Sequence, residues 1–243
     1  PPSYSVFQPD IALDADDNIY VVWHDYRAWI DDNAYTSPID VYLDVSTDGG
    51  TTGGTDVPVT TGGTGTYPWS FQPYIAIDQN NGYIYVSYTD YDRYYPVGDP
   101  GDVSLARSID GGQSFLPKVR VDDTADSLLV FQEFSSVAVD PASGDLYVAF
   151  EDGRGSSLDI YTARSTDYGA TYLANVRVNT DTTRVQEQPP IKTSDSGDVY
   201  VTWMDWRDDP DPETAPFQND VYVGRSSDSG STFPADIRVT DEY

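Results

Sequence analysis

Cysteine is absent from this 243-residue chain, and histidine and lysine are nearly absent. Without cysteine the fold has no disulfide bonds, and no thiolate can bind a metal. The single histidine, His24, cannot form a metal cluster, so we expect it to lie at the rim of the fold. No apolar run approaches the roughly 18 residues of a membrane span. Membrane insertion and disulfide-stapled classes of protein are therefore not expected.

Negative charge dominates what is present. The formal net charge is −28, the sequence pI is about 4.1, and nearly all of the 41 acidic residues are aspartate. A polyanion repels nucleic acid and anionic membrane surfaces, so we expect neither as a partner. Aspartate is also a turn residue, so part of the acidity is turn chemistry. The surplus favours a salty or calcium-rich exterior.

One eight-residue pattern, Ser-x-Asp-x-Gly-x-Thr-aromatic, occurs four times, with serine replacing the threonine once. In each copy the aspartate can accept hydrogen bonds from backbone N–H groups two residues on. The glycine can take the positive φ of a tight turn. The closing aromatic is expected to pack onto the core, and Gly53 in its place predicts that the first turn is the loosest. The copies span 46–53, 108–115, 165–172 and 226–233, with Asp48, Asp110, Asp167 and Asp228 and with Gly50, Gly112, Gly169 and Gly230.

Further recurring features predict four antiparallel strands in each repeat. An apolar alternation gives the first strand, and a turn rich in Asp, Asn and Gly leads to a more β-prone second strand. An aspartate opens the third strand, which runs into the Ser-x-Asp turn and then the fourth strand. First strands are predicted at 9–14, 73–78, 135–140 and 189–194; second strands at 19–23, 83–88, 146–150 and 199–203; third strands from Asp40, Asp102, Asp159 and Asp220; fourth strands at 57–60, 118–121, 175–178 and 236–239.

Two of the turns after first strands resemble the opening of a calcium loop. They read Asp14-x-Asp16-x-Asn18 and Asp78-x-Asn80-x-Gly82. The first lacks the glycine at position six, and neither supplies the bidentate glutamate at position twelve. We interpret both as ordinary hairpin turns.

Four repeated four-strand units without helical periodicity are typical of a β-propeller, with a β-sandwich as the alternative. The repeated turn resembles the Asp-box, or BNR repeat, of sialidase-like β-propellers. The predicted fold class is therefore all-β: a β-propeller of four four-stranded antiparallel blades, with Asp-box turns between third and fourth strands. We expect one domain, with blades at approximately 7–60, 71–121, 131–178 and 187–239. The linker lengths fit either a closed four-bladed ring or four blades of a longer propeller.

An Asp-x-Arg element follows each second strand, and its arginines are Arg27, Arg93, Arg154 and Arg207. In sialidases three arginines clamp the substrate carboxylate, so the resemblance makes these four the candidates for that role. A clamp is asymmetric, whereas this element recurs in every unit. We therefore favour a structural ion pair between each arginine and the aspartate that opens the third strand.

The resemblance also implies what an active enzyme would need. Sialidases use a tyrosine nucleophile activated by a glutamate, with an aspartate as acid/base. Glu133 and Glu187 are the glutamates that we expect near a central site. The Arg-Ile-Pro motif of the family enzymes is absent from the sequence.

Long loops at 28–39, 94–101 and 208–219 are expected on the face opposite the Asp-box turns. Binding faces of repeat proteins are usually those that carry the insertions. These loops combine aromatic residues and carboxylates, which is typical of a glycan-binding surface; a solvated rim is the alternative. The candidates for stacking on a sugar are Trp29, Tyr35, Tyr94, Tyr95 and Trp206, and those for binding calcium are Asp31, Asp32, Asp208 and Asp209.

The leading hypothesis is a secreted or cell-surface β-propeller without catalytic activity, in its mature form. It would bind a glycan or an extracellular protein, need no cofactor, and take calcium as an additional ligand. One alternative is an exo-sialidase-like glycoside hydrolase. Another is a structural subunit of an extracellular assembly that associates with itself through complementary ends.

Overall fold

The computed structural model describes residues 5–27, 38–60, 69–91, 101–125, 130–209 and 218–241. All regular elements in these ranges are β-strands, arranged in four antiparallel sheets whose strand order follows the chain. No helix long and apolar enough to span a membrane occurs in the described part of the chain. The predicted all-β architecture of four four-stranded antiparallel units is confirmed.

The strands are as follows. The first sheet contains β1 (Val6–Leu13), β2 (Ile19–Asp25), β3 (Asp40–Ser46) and β4 (Val57–Pro58), and the second contains β5 (Trp69–Ile77), β6 (Ile84–Tyr91), β7 (Asp102–Ser108) and β8 (Val119–Arg120). The third contains β9 (Gln132–Val139), β10 (Leu146–Asp152), β11 (Asp159–Ser165) and β12 (Val176–Arg177). The fourth contains β13 (Gln186–Glu187), β14 (Ile191–Thr193), β15 (Val199–Asp205), β16 (Asp220–Ser226) and β17 (Asp236–Arg238).

The first strand of every sheet is kinked at one residue with positive φ. The register of β1, β5 and β9 shifts at this point, and in the fourth sheet the same break separates β13 from β14, which both pair with β15. Such a conformation is uncommon for residues other than glycine, so the surrounding structure must hold it in place. The kinked residues, with φ of 49° or 54°, are Gln8, Gln72, Phe134 and Gln188.

The Ser-x-Asp turns share one hydrogen-bond network. In the fourth copy the Asp228 carboxylate accepts bonds from the Ser226 hydroxyl at 2.6 Å and from the Thr232 N–H at 2.9 Å and hydroxyl at 2.7 Å. The Ser226 oxygen accepts the Gly230 N–H at 2.9 Å, and Gly230 has a φ of 76°. The other three copies repeat these contacts. The positive φ was predicted correctly, but the backbone donors to the carboxylate are four residues on, with a further donor three residues on in two copies, and not two residues on.

The closing aromatic of the second, third and fourth turns packs as predicted. Phe233 is buried, and Phe115 and Tyr172 are partly buried against the apolar core. The first copy, with Gly53, has no such anchor, and its Gly50 is exposed whereas the equivalent glycines of the other copies are buried. The hydrogen bonds of that turn are intact, so what it lacks is the attachment to the core.

The turns that resembled calcium loops are hairpin turns that use their own carboxylates. Asp14 accepts the N–H groups of Asp16 and Asn18, each at 2.9 Å, and the side chain of Asn18 at 2.8 Å. Asp78 likewise accepts the Asn80 N–H at 2.9 Å. This agrees with the interpretation from sequence.

Successive sheets pack face to face through apolar residues. Third-strand and fourth-strand residues of one sheet meet first-strand residues of the next, and the first strands β1, β5, β9 and β14 lie against each other at the centre. The joints contain Val41, Val59 and Ile75; Val103, Val121 and Val137; and Ile160, Val178 and Ile191. No equivalent apolar cluster joins the fourth sheet to the first among the described residues. These residues therefore form an open row of sheets and not a closed ring.

The turn carboxylates predict a loss of stability in acid. Hydrogen bonds from the Thr171 hydroxyl and N–H lower the pKa of Asp167 to about 2. Its contribution to stability is thus present above about pH 4, where the unfolded side chain is ionised, and is lost as the pH falls towards 2. We expect the urea midpoint of the wild type to fall more steeply between pH 4 and about 2.5 than that of Asp167→Asn. Asp195→Asn, in an exposed turn, is the control, and parallel curves for wild type and Asp167→Asn would contradict the assignment.

Candidate functional site

The kinked first strands bring four equivalent residue pairs to the centre, at the end of the sheets opposite the Ser-x-Asp turns. Each pair consists of the residue before the kink and its partner on the second strand. The pairs are Phe7 with His24, Phe71 with Thr89, Glu133 with Glu151, and Glu187 with Met204. The same position is thus aromatic in the first two sheets and acidic in the last two.

The acidic half is a cavity of about 310 Å³ between the third and fourth sheets. Its lining residues are Phe131, Glu133, Phe134, Glu151, Leu158 and Glu187. Glu151 is buried and accepts the Gln188 N–H across the joint at 2.7 Å, and Glu187 accepts the indole N–H of Trp206 at 3.0 Å. Three carboxyl groups therefore face one space, with an aromatic ring hydrogen-bonded to one of them.

Burial affects the protonation of two of these carboxyl groups, Glu151 and Glu133. Burial raises the pKa of Glu151 to about 8, the Gln188 N–H opposes the rise, and the nearby carboxyls of Glu187 and Glu133 add to it. Burial also raises the pKa of Glu133. At neutral pH Glu151 is mostly protonated, so it can donate a hydrogen bond as well as accept one.

The aromatic half is a cavity of about 390 Å³ between the first and second sheets, lined by Phe7, Gln8, His24, Tyr26, Phe71, Gln72 and Tyr91. His24 lies against Phe7 at a ring-centroid distance of 5.6 Å and meets Phe71 edge-on at 5.3 Å. The hydroxyl of Tyr91 donates to Glu133 at 2.8 Å. This bond connects the lining of one cavity to the lining of the other, and we call the two neighbouring cavities together the central cleft.

His24 is not the rim residue that the sequence predicted. Its side chain is buried, and burial lowers its pKa to about 4, so the ring is neutral at neutral pH. Its Nδ1 atom has no hydrogen-bond partner within the described residues. The aromatic neighbours that bury it come from two different sheets, and nothing in its local sequence indicates them.

The arginines of the Asp-x-Arg elements hold individual sheets together. Arg207 binds Asp205 at 2.6 Å and Asp236, the first residue of β17, at 2.7 Å, and its guanidinium stacks on Tyr222 of the third strand at 4.0 Å. It therefore extends from the second strand towards the outer edge of its sheet, away from the central cleft. Arg27 and Arg154 repeat this arrangement with Asp25, Asp56 and Tyr42, and with Asp152, Asp123, Asn175 and Tyr161.

The predicted structural ion pair thus exists, but its partner was predicted wrongly. Two of the aspartates that open third strands are bound by arginines of the fourth strands: Arg120 binds Asp102 at 2.6 Å, and Arg238 binds Asp220 at 2.9 Å. In the second sheet Lys118, at the position before the fourth strand, binds Asp90 directly. The Asp-x-Arg arginine reaches past the third strand, a distance that sequence spacing does not reveal.

Several predicted site residues lie outside the described residues, namely Trp29, Asp31, Asp32, Tyr35, Arg93, Tyr94 and Tyr95. Asp208 accepts the Tyr222 hydroxyl at 3.3 Å, and Asp209 accepts the Gln218 N–H at 3.1 Å. No group of three or more acidic or histidine side chains in the described ranges is arranged to hold a metal ion.

Glu133, Glu187 and Trp206, which were predicted separately, meet at the central cleft. Sequence reasoning missed Glu151 and Tyr91. Aligning the four repeats would have indicated Glu151, because it takes the place of His24, Thr89 and Met204 in the other copies. Tyr91 reaches Glu133 only through packing between sheets, so no local signal marks it.

The chain matches no protein-family model, and no curated protein matches it in sequence. Solved structures do match it in fold. A Dyadobacter fermentans protein of unknown function has a TM-score of 0.69 and 16% identity, over 98% of this chain and 65% of its own. The leech intramolecular trans-sialidase complexed with 2,7-anhydro-Neu5Ac has a TM-score of 0.69 and 11% identity, over 97% of this chain and 51% of its own.

The Trypanosoma rangeli sialidase in complex with the inhibitor DANA has a TM-score of 0.66 and 14% identity, over 97% of this chain and 38% of its own. The chain therefore spans less than two thirds of the length of each of these three proteins. At such identities the likeness concerns the fold alone: it is a sialidase-like β-propeller fold.

Removing a sheet-spanning arginine should destabilise the fold strongly. Arg207→Met leaves the buried carboxylates of Asp205 and Asp236 without their cation, which costs about 3 kcal/mol by analogy with other broken buried pairs. The same change at the exposed Arg225–Asp198 pair is the matched control and should hardly move the urea midpoint. Equal effects of the two substitutions would contradict the structural role of Arg207.

Glu151 should make the fold less stable at alkaline pH. An unfolded glutamate ionises at about pH 4, whereas the folded one keeps its proton to about pH 8. Stability therefore falls as the pH rises between these values, because the folded state holds the extra proton. We expect Glu151→Gln to be more stable than the wild type at pH 8 and the difference to shrink towards pH 5, as read from urea midpoints. A difference independent of pH would show that Glu151 is not buried as described.

Proposed function

We propose that this protein is a glycan-binding β-propeller, secreted or displayed at a cell surface, and that the central cleft is its binding site. The observation that carries the proposal is the change from Phe7 and Phe71 to Glu133 and Glu187 at one repeated position. Residues that build a repeat recur in every copy, as the Ser-x-Asp turns do. Different residues at one equivalent position, aromatic in the first half of the chain and acidic in the second, fit contact with a ligand that is itself asymmetric.

The chemistry of the central cleft fits a sugar. Aromatic rings provide apolar faces on which a pyranose can lie, and carboxyl groups accept hydrogen bonds from its hydroxyls. Trp206, fixed by its bond to Glu187, combines both features at one place. Protonated Glu151 adds a donor, so the cleft can match both the donors and the acceptors of a sugar ring.

The charge of the cleft selects among sugars. Three carboxyl groups and a net charge of −28 disfavour an anionic ligand such as a sialoside. Arg27, Arg154 and Arg207, the candidates for a carboxylate clamp, are already bound to Asp25, Asp152 and Asp205 of their own sheets. The proposed ligand is therefore a neutral or basic glycan.

The remaining features are proposed on the same grounds. The hydrogen-bond network of the Ser-x-Asp turns and the sialidase-like fold support their assignment as Asp-box turns of a four-bladed unit. The acidity of the chain supports an extracellular location, with calcium as an additional ligand of the acidic loops. No cofactor is required for binding.

A sialidase-like glycoside hydrolase is the second candidate function, favoured by one specific contact. The Tyr91 hydroxyl is hydrogen-bonded to Glu133, which matches the tyrosine and glutamate pair that sialidases use as a nucleophile. Glu151, protonated at neutral pH, would be the general acid. The substrate would then be a neutral glycoside, because the negative charge of the cleft and of the chain disfavours an anionic one.

Binding is tested on an array of neutral, amino-sugar and sialylated glycans, followed by calorimetry with the best ligand. We expect signal from neutral or basic glycans, and we expect Trp206→Ala to weaken binding about tenfold or more, equivalent to about 1.4 kcal/mol. Tyr168→Ala, an exposed aromatic on the opposite face, is the matched control and should bind normally. Binding confined to sialylated glycans, or no glycan binding at all, would overturn the proposal and leave a protein partner as the next hypothesis.

The same variants separate binding from catalysis. Fluorogenic neutral glycosides and a sialoside are incubated with the wild type and with Glu151→Gln. Binding without product identifies a lectin-like module. Turnover that Glu151→Gln abolishes while binding persists identifies a hydrolase that uses this acid.

A further inference from the structure

The outer face of the fourth sheet exposes positions that are buried in the other three sheets. Val239 is 57% exposed, whereas its equivalents Val59, Val121 and Val178 are 6%, 1% and 0% exposed. Val221 is 36% exposed, whereas Val41, Val103 and Ile160 are 0% exposed. Ile237 of β17, two residues before Val239, is exposed as well. In the other sheets these positions form the joint to the next sheet.

At the opposite end of the row, the first sheet exposes an apolar residue whose equivalents are buried in the other three sheets. Ile11 of β1 is 60% exposed, whereas its equivalents Ile75, Val137 and Ile191 are 7%, 5% and 2% exposed. Leu13, two residues on along the same face of β1, is exposed as well. In the other three sheets the residue equivalent to Ile11 packs against the third and fourth strands of the preceding sheet. The two ends of the row are therefore the two halves of one kind of joint.

A backbone hydrogen bond belongs to each joint. The Ser70 N–H donates to the Ile39 carbonyl at 2.8 Å, the Gln132 N–H to Gly101 at 3.2 Å, and the Gln186 N–H to Leu158 at 3.0 Å. Each donor lies two residues before the kink of a first strand, and each acceptor lies just before a third strand. At the two ends of the row the equivalent groups are the Val6 N–H and the Asn219 carbonyl.

We propose that the outer face of the fourth sheet packs against the first sheet of a second copy of this chain, head to tail. The chain contains three examples of the joint, so a second copy presents the face that each end needs, in apolar pattern and in backbone hydrogen bonding. Val221, Ile237 and Val239 of one copy would bury Ile11 and Leu13 of the next. An apolar patch of this kind on a chain with a charge of −28 marks an interaction surface. The contact is heterologous, so copies add in series unless the row closes on itself.

The first test is the mass in solution, measured by light scattering from about 1 μM to about 1 mM, the range over which weak specific interfaces form. We expect the wild type to grow beyond a monomer with concentration. Val239→Asp and Ile11→Lys each place a charge in one half of the joint and should each remain monomeric. Leu173→Asp, at an equally exposed apolar residue away from both ends, is the matched control and should assemble like the wild type.

Mixing the two blocked variants tests the head-to-tail geometry. Val239→Asp keeps an intact first sheet, and Ile11→Lys keeps an intact fourth sheet. An equimolar mixture should therefore form a dimer and nothing larger, whereas either variant alone stays monomeric. All three substituted positions are exposed, and circular dichroism melting curves confirm that the variants fold.

Three results would overturn the proposal. A wild type that stays monomeric at about 1 mM does not associate through its ends with a Kd in the millimolar range or below. Assembly that Val239→Asp and Ile11→Lys do not affect uses another surface. A mixture that gives no dimer, with both variants folded, excludes the head-to-tail joint.

Discussion

Face-to-face packing of one sheet on the next is the interaction on which the rest of this structure depends. A four-stranded sheet of this size has too little apolar surface to fold alone, so each sheet is stabilised by its neighbours. The joint is built from short branched side chains, such as Val41 and Val59 against Ile75, which need flat and regular faces. The arginine contacts within each sheet and the Ser-x-Asp turns supply that regularity, because they fix the second, third and fourth strands relative to one another. Local polar chemistry thus shapes the surfaces, and apolar burial assembles them.

The features that the sequence predicts well are those decided within a few residues. The Ser-x-Asp turns, the alternating strands and the aromatic anchor Phe233 depend on neighbours in the chain, so their pattern can be read directly. The kink at Gln8 and its equivalents, the partner of Arg207 and the burial of His24 depend on residues from other strands or sheets. Repetition indicated that Gln8 and Arg207 had a recurring role but not what the role was, and it gave no such indication for His24. A sequence can therefore specify four sheets clearly and still conceal how their inner edges are shaped.

Repetition itself distinguishes structure from function in this chain. Where four copies agree, as in the Ser-x-Asp turns, the residues answer to a demand that every sheet shares. Where the copies differ at equivalent positions, as between Phe71 and Glu133, the structure of the sheet does not require one residue type. The choice of residue can then serve binding. Burying Glu151 beside Glu187 opposes ionisation and is unfavourable for the fold at neutral pH. An unfavourable contribution to folding of this kind, at the inner ends of kinked strands, is typical of a binding site, where function and stability oppose each other.

The joints and the central cleft are not independent of each other. The bond from Tyr91 to Glu133 crosses from the second sheet to the third, and the bond from Gln188 to Glu151 crosses from the fourth to the third. The two bonds cross the second-to-third and the third-to-fourth joints, so the shape of the central cleft depends on how closely these sheets pack. In a head-to-tail contact the acidic edge of one copy, at Glu187, would meet the aromatic edge of the next, at Phe7. Assembly would then repeat across copies the meeting of aromatic and acidic groups that the second and third sheets make within one chain, so the surfaces that build the row would also extend its binding face.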